Sequence, residues 1–103
     1  MKFDRIFDFV VIGAGSSGSV VAGRLADARK GSVLLVEAGG VDPLGITRIP
    51  AATYHTVGNP NYDWNFIPEP DPTRLDRSET WPRGKVVGGS SSINGMIYVR
   101  GDR

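Results

Sequence analysis

Six consecutive residues, Gly13-Ala14-Gly15-Ser16-Ser17-Gly18, could hold a phosphate group without one charged side chain. In this G-x-G-x-x-G pattern the first glycine permits a tight turn. The second lets backbone approach a pyrophosphate, and the third lets a helix pack closely on the strand before it. The N–H groups at the start of that helix carry partial positive charge and would face the anion. Glu37 follows Gly18 at close to the interval of about 20 residues expected for the acid that binds a ribose. A carboxylate there accepts hydrogen bonds from ribose hydroxyls and repels a 2′-phosphate, which favours FAD or NAD over NADP.

A hexapeptide of this kind is weak evidence alone, so the elements around it carry the argument. Asp8 to Ile12 reads as a short strand covered on both faces. From Ser16 to about Arg29, Val20, Val21, Ala22, Leu25, Ala26 and Ala28 recur at helical spacing. Ser16 or Ser17 is the expected N-cap, and Gly31 the expected stop. Ser32 to Val36 is a second buried strand, closed by Glu37-Ala38-Gly39-Gly40. Strand, glycine turn, helix and strand make a βαβ unit, whose crossover requires parallel strands.

Residues 41–83 differ in kind. All seven prolines fall there, and the stretch reads as an irregular excursion with one short helix near Ile49 to Thr56. Its aromatics, Tyr54, Tyr62, Trp64, Phe66 and Trp81, argue for packing against something, and Trp64 and Trp81 are expected to pack the excursion rather than to stack on a ligand ring. Residues 84–103 turn glycine-rich and then apolar, with no internal repeat.

Composition narrows the function classes. At 103 residues the chain suits one small domain. Twelve basic and eleven acidic residues give a net charge of +1, which offers no footprint for nucleic acid or a membrane surface. No cysteine is present, so thiolate metal sites and redox dithiols are excluded. The N-terminal apolar run is short for a secretory signal, and no stretch approaches the ~20 apolar residues of a membrane span. A cytoplasmic protein is expected.

The segment Trp81-Pro82-Arg83-Gly84-Lys85-Val86-Val87-Gly88-Gly89-Ser90-Ser91-Ser92-Ile93-Asn94-Gly95-Met96 resembles the first signature of the glucose–methanol–choline (GMC) oxidoreductases, flavoenzymes that oxidise alcohols. Ile12 to Gly18, Leu34 to Gly40 and Tyr62-Asp63-Trp64 also look like that family, in its order. The resemblance implies an α/β fold: a Rossmann-type FAD-binding βαβ unit with a long insertion at 41–83 and a second flavin-binding segment at 84–103. It implies that Gly88, Gly89 and Ser90 pass close to the diphosphate and flavin, and that Asn94, Gly95 and Met96 lie by the isoalloxazine ring. Ala14 and Ala38 complete the expected cofactor contacts. Some family members attach flavin to a histidine just before the asparagine; here that position is Ile93, so non-covalent FAD is expected.

By the same resemblance the catalytic base lies near the far C-terminus of family members. The chain is therefore expected to be an incomplete domain that lacks a substrate domain and holds no catalytic residue. His55, the one histidine, is expected at the surface. Arg83 and Lys85 either pair with phosphate or are solvated loop charges. The implied parent reaction is oxidation of a small-molecule alcohol by hydride transfer to flavin. The rival expectation is a nucleotide-binding remnant without catalysis.

Overall fold

The computed structural model describes residues 5–42 and 44–102. Strand β1 (Phe9–Ile12) leads through the glycine loop into helix α1 (Ser16–Asp27), which returns the chain to β2 (Val33–Val36). The two strands pair in parallel, with Phe9 opposite Val33 and Ile12 opposite Val36, as a βαβ crossover demands. A Cβ at Gly18 would overlap the Gly13 carbonyl and approach Val11, so α1 lies flat on the Phe9–Val11 face of the sheet. The opposite face is bare: Ile12 is 85% exposed, and Val10 and Val36 are open to solvent too. The expectation of strands covered on both faces is thus met on one face only, because α1 alone lies against this sheet.

Both ends of α1 differ from expectation. Gly15, extended at ψ −171°, is the N-cap, and no side chain caps the helix. The Ser19 N–H donates to the Gly15 carbonyl at 2.9 Å, so Ser16 and Ser17 lie inside the first turn and cannot precede it. At the other end the helix stops at Asp27, and Arg29 takes the left-handed conformation expected of a glycine. Gly31 has a separate task. A Cβ there would sit 2.7 Å from the Asp8 carboxylate. That carboxylate accepts from the Ser32 N–H and Oγ, both at 2.7 Å, and latches the two strands together at their start. The Ser32 hydroxyl, then its N–H, hold the Asp8 carboxyl below its usual range.

Beyond β2 the chain makes two 3-10 turns (Ile46–Arg48 and Pro50–Ala52) that run into α2 (Thr53–Thr56), the short helix expected there. The remainder of the excursion is more ordered than its prolines suggest. Asp63 pairs with Gly84, Phe66 with Trp81 and Asp71 with Arg77, all antiparallel. Backbone bonds from Lys85 to Tyr62, Trp64 to Arg83 and Trp81 to Phe66, at 2.7 to 2.9 Å, complete a two-stranded arm. Its tip is a 3-10 turn at Pro72–Arg74, started by Asp71, whose carboxylate accepts the Thr73 N–H.

Asp63 anchors this arm. It is 2% exposed, and its carboxylate accepts from the N–H groups of Gly58, Asn65 and Arg83 at 2.8 to 3.0 Å. One buried side chain thereby joins the loop after α2 to both strands of the arm. Burial pushes its carboxyl upward, but the three N–H groups and the Arg83 charge outweigh that and hold it below the usual range. The returning chain then runs beside the end of β2, where Val86 pairs with Gly40 in parallel. Ala14, Ala22, Val86 and Ile93 are the buried apolar residues of the described part. Among the described residues no helix is long and apolar enough to cross a membrane.

Candidate functional site

The start of α1, the end of β2 and the arm open onto one cleft of about 890 Å³. The glycine loop contributes Gly13, Gly15, Ser16, Ser17 and Gly18, with Ile12 beside them. The end of β2 contributes Val36, Glu37 and Ala38. The later glycine segment contributes Gly84, Gly89 and Ser90, and the arm Trp64, Phe66, Trp81 and Arg83.

The two glycine clusters meet backbone to backbone. The Gly88 N–H donates to the Ala14 carbonyl at 2.7 Å, and a Cβ on Gly89 would lie 2.8 Å from the Gly15 Cα. Gly89 also has a φ of 60°, which side-chain-bearing residues rarely adopt. Ser90 braces the segment from the other side, its Oγ accepting the Gly84 N–H at 3.0 Å. A surface built this way is bare of side chains beside an uncapped helix start. The N–H groups of Ser16, Ser17 and Gly18 precede the first helical bond and are free to face an anion. Ala14 is buried behind the loop, so its part is structural support.

Glu37 is held in place before any ligand arrives. One carboxylate oxygen accepts the Ala14 N–H at 2.7 Å and the other the Gly39 N–H at 2.9 Å. It therefore ties the glycine loop to the turn after β2. A carboxylate oxygen has two acceptor positions, so each retains one for a hydroxyl in the cleft.

The arm meets the cleft with side chains. Trp64 and Phe66 are stacked, with ring centroids 5.9 Å apart and planes 6° from parallel. Lys85 Nζ sits 4.8 Å over the Trp64 ring, and the Arg83 guanidinium 5.5 Å from the Trp81 ring centre. These rings do not pack the excursion into a core, as the sequence suggested: Trp64, Phe66 and Trp81 are about half exposed. Among the described residues no second layer covers them. Phe66 and Gly84 line the site without an expected role there, and Arg83, weighed as a phosphate partner, lies over Trp81 at its edge. The signal was there: Trp64 and Phe66 alternate on one strand against Trp81, Arg83 and Lys85 on the other.

With this geometry in view, relatedness is decisive. The GMC oxidoreductase family model matches residues 7–103. The chain belongs to that family. Over 94 residues it is 52% identical to an oxygen-dependent choline dehydrogenase of Rhizobium etli, covering 91% of this chain and 17% of that protein. Over 104 residues it is 46% identical to glucose dehydrogenase (FAD, quinone) of Drosophila melanogaster, covering 97% of this chain and 16% of the relative. The crystal structure of pyridoxine 4-oxidase from Mesorbium loti superposes with a TM-score of 0.76 at 41% identity, over 91% of this chain and 18% of that one. The chain thus spans about 17% of the length of curated relatives it matches.

In this GMC chain the glycine loop, Glu37, Ala38, Gly89 and Ser90 line one cleft, with Gly88 directly behind. Asn94, Gly95 and Met96 are not brought to it. Asn94 and Met96 border a separate cavity of about 30 Å³ with Thr53, Thr56, Ser91 and Ser92. The Asn94 amide is spent locally, donating to the Ser91 carbonyl and accepting the Met96 N–H, both at 2.7 Å. Ile93 is buried. His55 is exposed on α2, away from the cleft, as expected.

Proposed function

We propose that the cleft binds FAD without a covalent bond, and that a longer flavoenzyme carrying this chain oxidises the CH–OH group of a small alcohol. The observation that carries the reading is the meeting of Gly15 and Gly89 beside an uncapped helix start, with the Glu37 carboxylate fixed at the same cleft. A pyrophosphate fits the bare backbone and its N–H groups, and ribose hydroxyls fit the remaining acceptor positions of Glu37. Relatives named for choline and for glucose with FAD support an alcohol as donor and FAD as cofactor.

The chemistry supplied by bound FAD is hydride acceptance from the alcohol carbon. The residues of this chain bind and orient. Gly13 to Gly18 with Gly88 to Ser90 receive the diphosphate, and Glu37 and Ala38 the ribose; a part for Asn94, Gly95 and Met96 at the ring rests on the family resemblance alone, since they lie outside the cleft. Glu37 and Arg83 are the ionisable residues lining the cleft; the Glu37 carboxylate accepts the Ala14 and Gly39 N–H groups, and the Arg83 guanidinium lies over Trp81. Ile93 offers no nucleophile for attachment, which supports non-covalent binding.

Acid precipitation of the purified flavoenzyme tests the first part: yellow flavin is expected in the supernatant, and flavin kept by the pellet would refute non-covalent binding. Glu37→Gln tests the site. Loss of a charged acceptor costs about 1.5–3 kcal/mol, or roughly 10- to 150-fold in FAD affinity on titration of the apo-protein. Unchanged affinity would mean that Glu37 does not hold the ribose.

A further inference from the structure

Asp63 does not line the cleft, and it is 2% exposed. Burial found within these residues persists however much further chain packs around them. A carboxylate out of water is unfavourable unless hydrogen-bonded, and this one bonds to main chain. One oxygen accepts the Asn65 N–H at 3.0 Å and the Arg83 N–H at 2.8 Å, and the other the Gly58 N–H at 2.9 Å. Gly84 stands directly across the ladder from Asp63, between the bonds from Trp64 to Arg83 and from Lys85 to Tyr62. In such a pair the N–H turns away from the partner strand, and here the Ser90 Oγ accepts it at 3.0 Å. A Cβ on Gly84 would overlap the Gly89 carbonyl group and the Ser90 nitrogen, so the two segments touch main chain to main chain.

Gly89 repeats that contact on its other side, where a Cβ would lie 2.8 Å from the Gly15 Cα. The order is therefore Asp63, Gly84, Gly89, Gly15, with no side chain between Gly84 and the phosphate loop. Packed main chain has no rotamer through which to relax, so a shift at one end is passed to the other. We infer that Asp63 is a positioning residue for the diphosphate surface, setting through Gly84 and Gly89 how the two glycine clusters meet. The inference rests on the proposed FAD reading and adds to it a residue outside the cleft. It also gives the excursion at 41–83 a task, since the Gly58 bond fastens the loop after α2 to the same carboxylate. Asp8 is the natural control. Its carboxylate likewise holds a main-chain N–H and a hydroxyl, both of Ser32, but at the end of the sheet opposite the glycine loop.

The experiment titrates apo-protein of the full-length flavoenzyme with FAD and, separately, with ADP, which carries the diphosphate without the flavin. Each variant is measured at a temperature where circular dichroism shows it fully folded, which removes global stability from the comparison. Asp63→Asn is expected to weaken both ligands alike, by about 5- to 30-fold. Asp8→Asn is expected to bind both as wild type does. Ser90→Ala removes the acceptor of the Gly84 N–H on the same route, so the double variant should lose less than the product of the two single losses. Should Asp63→Asn fail to fold, wild type is read in its place. Coupling between sites is reciprocal, so ADP binding should slow hydrogen exchange at the Gly58 amide, which lies outside the cleft. Unchanged affinity in folded Asp63→Asn, a loss confined to FAD, or an equal loss in Asp8→Asn overturns the positioning role and leaves the FAD reading standing. Independent losses in the double variant, or unchanged Gly58 exchange, do the same. A wild-type protein that binds no FAD overturns both.

Discussion

The glycine loop and the aromatic arm reach the same cleft by opposite means. The loop at 13–18 works through removal: every side chain that would intervene is missing, and backbone touches backbone at Gly15 and Gly89. The arm at 62–85 works through addition, setting aromatic and cationic side chains on a ladder that one buried carboxylate holds. Backbone cannot yield where it is packed against backbone, so Gly18, Gly39 and Gly89 on the loop side should tolerate no side chain. A side-chain surface exposed to solvent can adjust, so the arm should lose ligand affinity before it loses fold.

Neither region is self-sufficient, and that sets the largest expected effect. Ile12, Val10 and Val36 on the bare sheet face, and Ile97, Tyr98 and Val99 further on, are all exposed. A parallel sheet is stable only when covered on both sides. Residues 1–103 expressed alone should therefore aggregate or unfold without a cooperative transition, and should oxidise no alcohol with FAD added. Cooperative melting together with turnover above a no-protein control would show the covered face to be sufficient.

Within the full-length flavoenzyme, the loop side breaks first. A Cβ at Gly39 would overlap the Lys85 carbonyl, which is main chain and cannot rotate away. Gly39→Ala should cost about 3 kcal/mol or more in chemical denaturation, at the upper end for overpacking. It should also separate Val86 from its pairing with Gly40. Trp81→Ala, a far larger change in volume at a half-exposed site, should cost less in stability. The reverse order would remove the contrast between the two regions.

The unequal legibility of the two regions follows from the same physics. The βαβ unit could be read directly, because its glycine spacing and apolar runs are local and each spans few residues. Its caps could not. Whether Gly15 or a serine precedes the first turn depends on ψ at Gly15, and the task of Gly31 depends on Asp8, which is far away in sequence. The arm was hidden by Pro68, Pro70, Pro72 and Pro82, which usually argue against a strand. It is also kinked at Asn65, where φ is 51°. Asp63 looks like any loop acid until Gly58 and Arg83 are seen to converge on it. The exclusion of Asn94 from the cleft depends likewise on a local turn, in which its own neighbours satisfy its amide.

A smaller effect is expected from unfastening the arm. Asp63→Asn keeps the shape but turns one acceptor into a donor facing N–H groups, at a cost of about 1–3 kcal/mol. The pH dependence follows from the lowered carboxyl. A group whose folded pKa lies below its unfolded value of about 3.9 contributes stability above that value and loses it as pH falls through the folded one. Wild type should therefore weaken below about pH 4 more steeply than Asp63→Asn. The slope should not vanish in the variant, because Asp8 and Asp42 are lowered in the same direction. Parallel acid denaturation curves would mean that Asp63 is not the ionised anchor of the arm.

The smallest effect belongs at the tip of the arm. Arg74 bonds to Glu79 at 2.6 Å, with the two side chains 53% and 56% exposed. A pair so open to water has its attraction screened and must still order two long side chains, so its net worth is typically below ~1 kcal/mol. The turn beneath it has its own support. Asp71 accepts from both the Thr73 N–H and its hydroxyl, and the backbone of Arg74 and Asp76 returns to the Asp71 carbonyl at 3.0 Å. Arg74→Ala should therefore shift stability by no more than about 0.5 kcal/mol, and salt should weaken even that. FAD affinity should stay unchanged, since the tip does not line the cleft while Trp64, Phe66 and Trp81 do. A loss of FAD affinity on Arg74→Ala would mean that the tip holds the aromatic face in position. In that event Asp63 would not be its sufficient anchor, and the arm would behave as one stiff unit, much like the loop it faces.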